Sequence, residues 1–295
     1  MKPLGLKDRN LFERYLKLNR PQLSSAAFVN VFIWSDFFDF KQEIIGGNLC
    51  VFAKNKIGCF LCLPPLGKSP SKMAVKKCFE IMDRKNIDEN ISRIENVEKK
   101  DLKFYERMGL KIVFKGNDYL YRRTDLVNLN GNKYKPKRSA LNYFIKHNSF
   151  EYLPFEKKDI KACLALYRKW QSGREKKCND AIYRQMLSDN YLAQKTAMDN
   201  FKKLELMGRI IRIKNKIQAY AFGFRLNPDT FCVLFEVANL GIKGIANFLF
   251  REFCKEQQGF SYINCMDDSG LESLKRVKLS YRPCKLIPAY IVTRG

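Results

Sequence analysis

The sequence predicts a mixed α+β protein built from two copies of one unit, and three features predict it. Between Thr230 and Gln257 an apolar run (Phe231 to Phe235, then Val237) is broken once, by Glu236, and passes through Asn239-Leu240-Gly241-Ile242-Lys243-Gly244 into Ile245, Phe248, Leu249 and Phe253 at helical spacing. That order is strand, glycine-containing loop, helix. The segment from Leu4 to Leu18 also echoes Leu153 to Trp170: in both, an extended stretch leads through Lys-Asp (Lys7-Asp8, Lys158-Asp159) into a helix with apolar residues in matching places. Finally, the later elements recur in the same order after each start.

In the first copy a hairpin-like pair spans 43–54 and 57–63, and Leu63-Pro64-Pro65-Leu66-Gly67 ends this meander. A helix follows with Val75, Cys78, Phe79 and Met82 on one face, then a strand near 91–97, a helix ending at Met108-Gly109 and a closing strand. In the second copy strands are expected at 208–214, 217–226 and the Glu236 segment. A helix to Gln257, a strand at 260–265, a helix at 271–277 and a last strand near 286–292 complete it. The joint falls in the polar, basic stretch 128–138, followed by a short helix carrying Leu141, Phe144 and Ile145. The expected domains are 1–130, a basic linker and helix at 131–148, and 149–295, the last carrying the active site.

Composition sets the class of partner. The 295 residues hold 55 Lys and Arg against 30 Asp and Glu, a formal net charge of +25, with 46% hydrophobic residues. Such an excess fits nucleic acid or an acidic lipid surface, both of which present dense negative charge. The ten cysteines are scattered, with Cys59, Cys62, Cys163, Cys232 and Cys254 in apolar patterns, as for reduced thiols in a cytoplasmic protein. Cys59 and Cys62 fall on opposite faces of a strand and His147 is the sole histidine, so no metal site is expected. The apolar stretch 26–40, interrupted by Asn30, Asp36 and Asp39, is too short to span a bilayer.

The order of elements in each copy resembles the GNAT acyltransferase fold, here in tandem. Three motifs narrow the resemblance. They are Leu63-Pro64-Pro65-Leu66-Gly67; the run Asp118-Tyr119-Leu120-Tyr121-Arg122, Asp125-Leu126, Leu129, Gly131, Lys133, Lys137-Arg138, Asn142 and Phe144; and Ile263-Asn264 with Asp268, Gly270, Leu274, Lys278-Leu279-Ser280-Tyr281 and Pro283. Together they resemble the phosphatidylglycerol lysyltransferase C-terminal domain family. The resemblance implies paired GNAT-like domains and transfer of an amino acid from aminoacyl-tRNA to a lipid head group or another small acceptor. One departure is plain: Asn264-Cys265-Met266 stands where the family's Asn-Arg-Glu is expected. Either the acceptor differs or this member binds without turnover.

Acyl transfer needs a base for the attacking amine or hydroxyl and donors for the oxyanion. Glu236 in its apolar strand is the candidate base, by direct attack without a covalent intermediate; the alternative is a carboxylate paired for structure. Asp268 is a catalytic candidate or the cap of the following helix. Lys278 is the third catalytic candidate, and Asn264, Ser280 and Tyr281 are substrate-binding candidates. Gly241, Lys243 and Gly244 either hold a phosphate or tRNA terminus, or only start a helix. Lys133, Lys137, Arg138 and Asn142 combine charge with the aromatic Tyr134, as an anion or tRNA surface does, or form a solvated linker. The donor is expected to be aminoacyl-tRNA or acyl-CoA, with no tightly bound cofactor. The competing classes are an acyl-CoA-dependent N-acyltransferase and a non-catalytic basic module on RNA or acidic membrane, the protein being cytoplasmic or peripheral at the membrane.

Overall fold

The two Lys-Asp pairs close the same turn in both copies. In a computed structural model, which describes residues 1–176 and 180–294, the Gly5 amide donates to Asp8 Oδ2 and the Glu156 amide to Asp159 Oδ2, each at 2.9 Å. The turns follow strands β1 (Lys2–Pro3) and, in the second copy, Glu151–Pro154, and open helices at Arg9 and Ile160. A carboxylate that bonds back to the chain before a helix satisfies an amide that no helical carbonyl reaches.

The chain divides into two units. Unit 1 comprises residues 1–119, 266–275 and 286–294 among those described; unit 2 comprises 120–265, apart from the undescribed 177–179, and 276–285. In unit 1, α1 (Arg9–Asn19) and α2 (Phe28–Phe32) precede the strands β2 (Asp39–Ile45), β3 (Asn48–Lys54) and β4 (Cys59–Leu61). The strand expected over 43–54 is thus two strands, because Gly46 (φ +56°) and Gly47 (φ +79°) turn the chain between them. Next come α3 (Lys72–Asp83), capped by Ser71, then β5 (Arg93–Glu98), α4 (Leu102–Glu106) and the start of β6 (Lys111–Arg122).

Unit 2 starts with the end of β6 and continues through α5 (Arg123–Asn128), α6 (Lys135–His147), β7 (Glu151–Pro154), α7 (Ile160–Glu175) and α8 (Ala181–Asp199). The meander β8 (Met207–Ile213), β9 (Lys216–Arg225) and β10 (Thr230–Ala238) is antiparallel, and α9 (Ile245–Lys255) leads to β11 (Tyr262–Asn264), parallel to β10. Last are α10 (Glu272–Ser280) and β12 (Lys285–Thr293).

The expected boundaries at 130 and 149 differ from the observed division, because the closing strands are exchanged. β12, from the end of the second copy, pairs with β5 in unit 1 (Val292 opposite Ile94), and the end of β6 pairs with β11 in unit 2 (Tyr121 opposite Ile263). Each exchange is fixed by apolar burial: Ile94, Val292 and Ile263 are fully buried and Tyr121 nearly so. Burying each large apolar side chain contributes roughly 1.5–3 kcal/mol. In unit 2 the core on the α7 and α8 side is aromatic, with Phe155, Phe201 and Phe222 in mutual edge contacts and Tyr220 donating to Gln194 at 2.6 Å.

Candidate active site in unit 2

One extra residue in β10 decides which way Glu236 points. Phe231 and Val233 lie opposite Arg225 and Gly223, but the register then shifts, and Phe235 and Glu236 lie opposite Phe222 and Ala221. Directly paired residues share a face, so the bulge at Leu234 puts Glu236 on the face of Ala219, Ala221 and Gly223. Unbroken alternation would have put Phe235 there and turned Glu236 into the aromatic core. The β9 side chains on that face are small, and the Phe231 ring covers Gly223.

The partner on the other edge of β10 stops early. β11 runs parallel to β10 only from Thr230, opposite Tyr262, to Cys232, opposite Asn264. From Val233 to Ala238 that edge of β10 has no β11 residue beside it, which leaves main-chain groups for an extended ligand.

Helix α9 covers this face and is set against α6 by Gly244. This residue has φ +82°, and a β-carbon on it would stand 2.0 Å from the Ala140 carbonyl oxygen. The glycine therefore serves the close approach of two helices. Behind it Phe144 packs on Phe248 at 5.1 Å, and the Lys243 ammonium lies 4.4 Å from the Tyr143 ring. The Gly241 amide is already bonded to Asn239 Oδ1 at 3.0 Å. As a phosphate cradle this loop is thus partly occupied by its own chain.

Around Glu236 stand Lys137 from α6, Asn247 from α9, and Tyr281. The Lys137 ammonium sits 4.0 Å above the Tyr281 ring, Asn247 Nδ2 donates to Tyr281 Oη at 2.9 Å, and Phe250 meets the same ring edge-on at 4.9 Å. Tyr134 fixes the backbone by donating to the Tyr281 carbonyl at 3.1 Å. Glu236 is exposed, yet desolvation by surrounding protein pushes its carboxyl up to about 8, with Lys137 pulling the other way. Exposure together with desolvation describes a group in a recess that water enters, surrounded by protein rather than by bulk solvent. No described residue makes a hydrogen bond or ion pair with this carboxyl. Desolvation lowers the Lys137 pKa, and Glu236 opposes the shift. Burial followed by the Glu236 charge pushes the Tyr281 phenol above its ordinary range, so it stays protonated.

The other sequence candidates have different surroundings. Asp268 belongs to unit 1, where it accepts from Tyr119 Oη at 2.5 Å and from the Gly270 amide at 3.0 Å, ahead of α10. The bond to Gly270 closes a turn ahead of α10, whose first residue is Glu272, so it does not reach a helical amide. Lys278 Nζ donates to the Cys265 carbonyl, and Ser280 Oγ to the Val277 carbonyl of its own helix. Asn264, expected at the substrate, is fully buried in β11. The basic cluster divides: Lys133 and Asn142 are exposed, while Arg138 donates to the carbonyls of Leu129 and Gly131 and so holds the end of α5. Lys137 alone of this group reaches the Glu236 recess, because α6 begins at Lys135 instead of after the basic run. The sequence reading missed Asn247, whose signal was an amide within the otherwise apolar face of α9, and the small-residue alternation Ala219, Ala221, Gly223 in β9.

Comparison with known proteins agrees with this architecture. The model of the phosphatidylglycerol lysyltransferase, C-terminal family matches residues 17–293, while no curated protein matches the chain. A conserved protein of unknown function from Bacteroides thetaiotaomicron has a similar crystal structure, with 25% identity and a TM-score of 0.86 over 99% of this chain and 98% of that one. The C-terminal domain assigned to a lysylphosphatidylglycerol synthetase of Agrobacterium fabrum is 14% identical, with a TM-score of 0.63 over 99% of this chain and 92% of that one. L-PGS from Bacillus licheniformis is 16% identical, with the same TM-score over 97% and 92%. These last two show a shared fold, and the mixed α+β, GNAT-like class expected from the order of elements is the one found. Since the family match spans nearly the whole sequence, the chain belongs to the phosphatidylglycerol lysyltransferase, C-terminal family.

Proposed function

We propose that the Glu236 recess is the active site of an aminoacyl or acyl transferase that works by direct attack. Family membership and the GNAT-like fold support the transferase class. The observation that carries the site is the unpartnered Glu236 carboxyl, open to solvent and with a pKa of about 8. A base of that strength exchanges protons readily near neutral pH. In the proposed reaction an amine or hydroxyl of the acceptor attacks the ester carbonyl of an aminoacyl-tRNA. The new acyl bond forms, the bond to the tRNA 3′ oxygen breaks, and the proton passes from the nucleophile to Glu236 and then to the leaving oxygen.

Tyr281 suits the oxyanion. Its hydroxyl accepts from Asn247, and its own proton has no acceptor among the described residues. A protonated, oriented phenol in a desolvated recess stabilises developing negative charge. Lys137 supplies positive charge beside it, and the free edge of β10 suits an extended acyl donor. The strongly basic composition fits tRNA as donor and an acidic lipid, such as phosphatidylglycerol, as acceptor. No described helix is long and apolar enough to cross a membrane; the proposed setting is the cytoplasm, with peripheral contact to the lipid surface.

The test is transfer of radiolabelled lysine from lysyl-tRNA to phosphatidylglycerol vesicles, run in parallel with acetyl-CoA as donor. Label in the lipid, lost in Glu236→Gln, supports the aminoacyl route. The open β10 edge also suits the extended arm of an acyl-CoA, and transfer from acetyl-CoA alone would select that donor. Transfer from neither, with salt-sensitive RNA binding intact in Glu236→Gln, would reduce the protein to a basic binding module.

A further inference from the structure

We propose that unit 1 carries a second ligand site, for a small aromatic carboxylate, in the groove between Phe38, Ile57, Phe60, Ile91, Asn55 and Arg93. The groove holds about 260 Å³, near the lower bound of roughly 300 Å³ for small-molecule pockets, so it suits a fragment-sized molecule. Every residue that forms it lies in unit 1.

The walls are built and held. Asn55 Oδ1 accepts from the amides of Ile57 and Gly58 at 3.0 and 3.3 Å, and the Asn55 amide donates to the Gly58 carbonyl at 3.0 Å. This closed turn keeps Ile57 in place at 67% exposure. Below it Asn86 ties β4 to the segment before β5, donating to the Cys59 carbonyl at 2.8 Å and to Ser92 Oγ at 3.0 Å. Phe38 meets Phe60 edge to face at 5.7 Å. An aromatic ring laid between Phe38, Ile57 and Ile91 would continue that packing and cover Ile57.

The polar end carries the charge. The Arg93 guanidinium lies 4.1 Å over Phe60, with Nε on Glu95 Oε1 at 2.7 Å and Nη1 on the Ile91 carbonyl at 3.2 Å. Lys115 takes the second Glu95 oxygen at 2.7 Å. Two cations thus share one carboxylate, and Arg93 Nη2 has no partner among the described residues. Burial acts to raise the Glu95 pKa, but Lys115 and Arg93 outweigh it, so the acid stays ionised and satisfied. A ligand carboxylate on Nη2 would complete the charge balance, with the Asn55 side-chain amide as a second donor.

The experiment titrates the full chain with indole-3-acetate and, separately, neutral indole-3-acetamide, followed by backbone amide NMR. The expected result is shifts confined to Phe38 and to residues 55–60 and 91–95, with the amide at least about tenfold weaker, as for loss of one charge-assisted hydrogen bond. Ile57→Asp, at an exposed turn, should weaken indole-3-acetate about tenfold or more without disturbing the remaining spectrum. Arg93→Gln should do the same; if it unfolds, Ile57→Asp decides alone. Equal affinity for the two probes, shifts outside the groove, no shifts, or unchanged binding by Ile57→Asp overturns the proposal. None of these outcomes bears on Glu236.

Discussion

The Lys137 ammonium stands 4.0 Å above the Tyr281 ring, in the recess where Glu236 ends. It is the one nearby charge that favours the Glu236 carboxylate. Lys137→Met should therefore raise the Glu236 pKa beyond about 8 and move the ascending limb of the pH profile of kcat/KM to higher pH. Lys137→Arg should move it little. An unchanged profile in Lys137→Met would show that the two groups are not coupled.

Glu236→Gln should lower kcat by about 10²–10⁴, the usual contribution of a general base. In the wild type, kcat/KM should rise with pH through an apparent pKa near 8, since the base must be ionised in the free enzyme. A flat profile between about pH 6 and about pH 9 would assign the proton transfer elsewhere.

The same carboxyl should make the wild type less stable in alkali. Its folded pKa of about 8 lies above the ordinary 4.5, so the folded state binds the proton more tightly than the unfolded chain. Its contribution is full below the unfolded pKa and is lost as pH rises through the folded one. Melting curves of wild type and Glu236→Gln should run together below the ordinary pKa of 4.5, separate progressively as pH rises to about 8 and stay apart above it, the variant melting higher. Parallel curves throughout would place the carboxyl in ordinary water.

Gly244 and Gly241 should respond differently to alanine. At Gly244 the left-handed backbone alone costs roughly 1–3 kcal/mol, and the new methyl would meet the Ala140 carbonyl at 2.0 Å. Denaturant unfolding of Gly244→Ala should show at least that loss. At Gly241 the nearest atom is Asn239 Oδ1 at 3.3 Å, and Gly241→Ala should stay within about 0.5 kcal/mol of wild type. If Gly241→Ala instead abolishes donor binding while leaving stability intact, the loop holds the ligand after all.

Much of the fold was legible because periodicity and punctuation are local properties. The Lys-Asp starts at Asp8 and Asp159 recur with the same 2.9 Å cap, and the strand with Glu236 followed by α9 lies where the apolar run and the helical spacing after it put them. The turn at Gly46-Gly47, which divides the strand expected over 43–54, also carries a local signal, two adjacent glycines. Asp268 illustrates the converse: its place before a helix suggests a cap, yet its carboxylate bonds to Gly270 in a turn that precedes the first helical residue, Glu272.

By itself, the sequence determined the α+β class, the duplication and the isolated acid in an apolar strand, since each depends on neighbours within a few residues. Tertiary structure decided three further matters: that β6 and β12 exchange units, that the bulge at Leu234 turns Glu236 away from the aromatic core, and that Lys137 leaves the basic run to meet Tyr281. These depend on which distant strand or helix supplies the partner. The choice is made by buried area and register summed across the whole unit, and no local pattern records it.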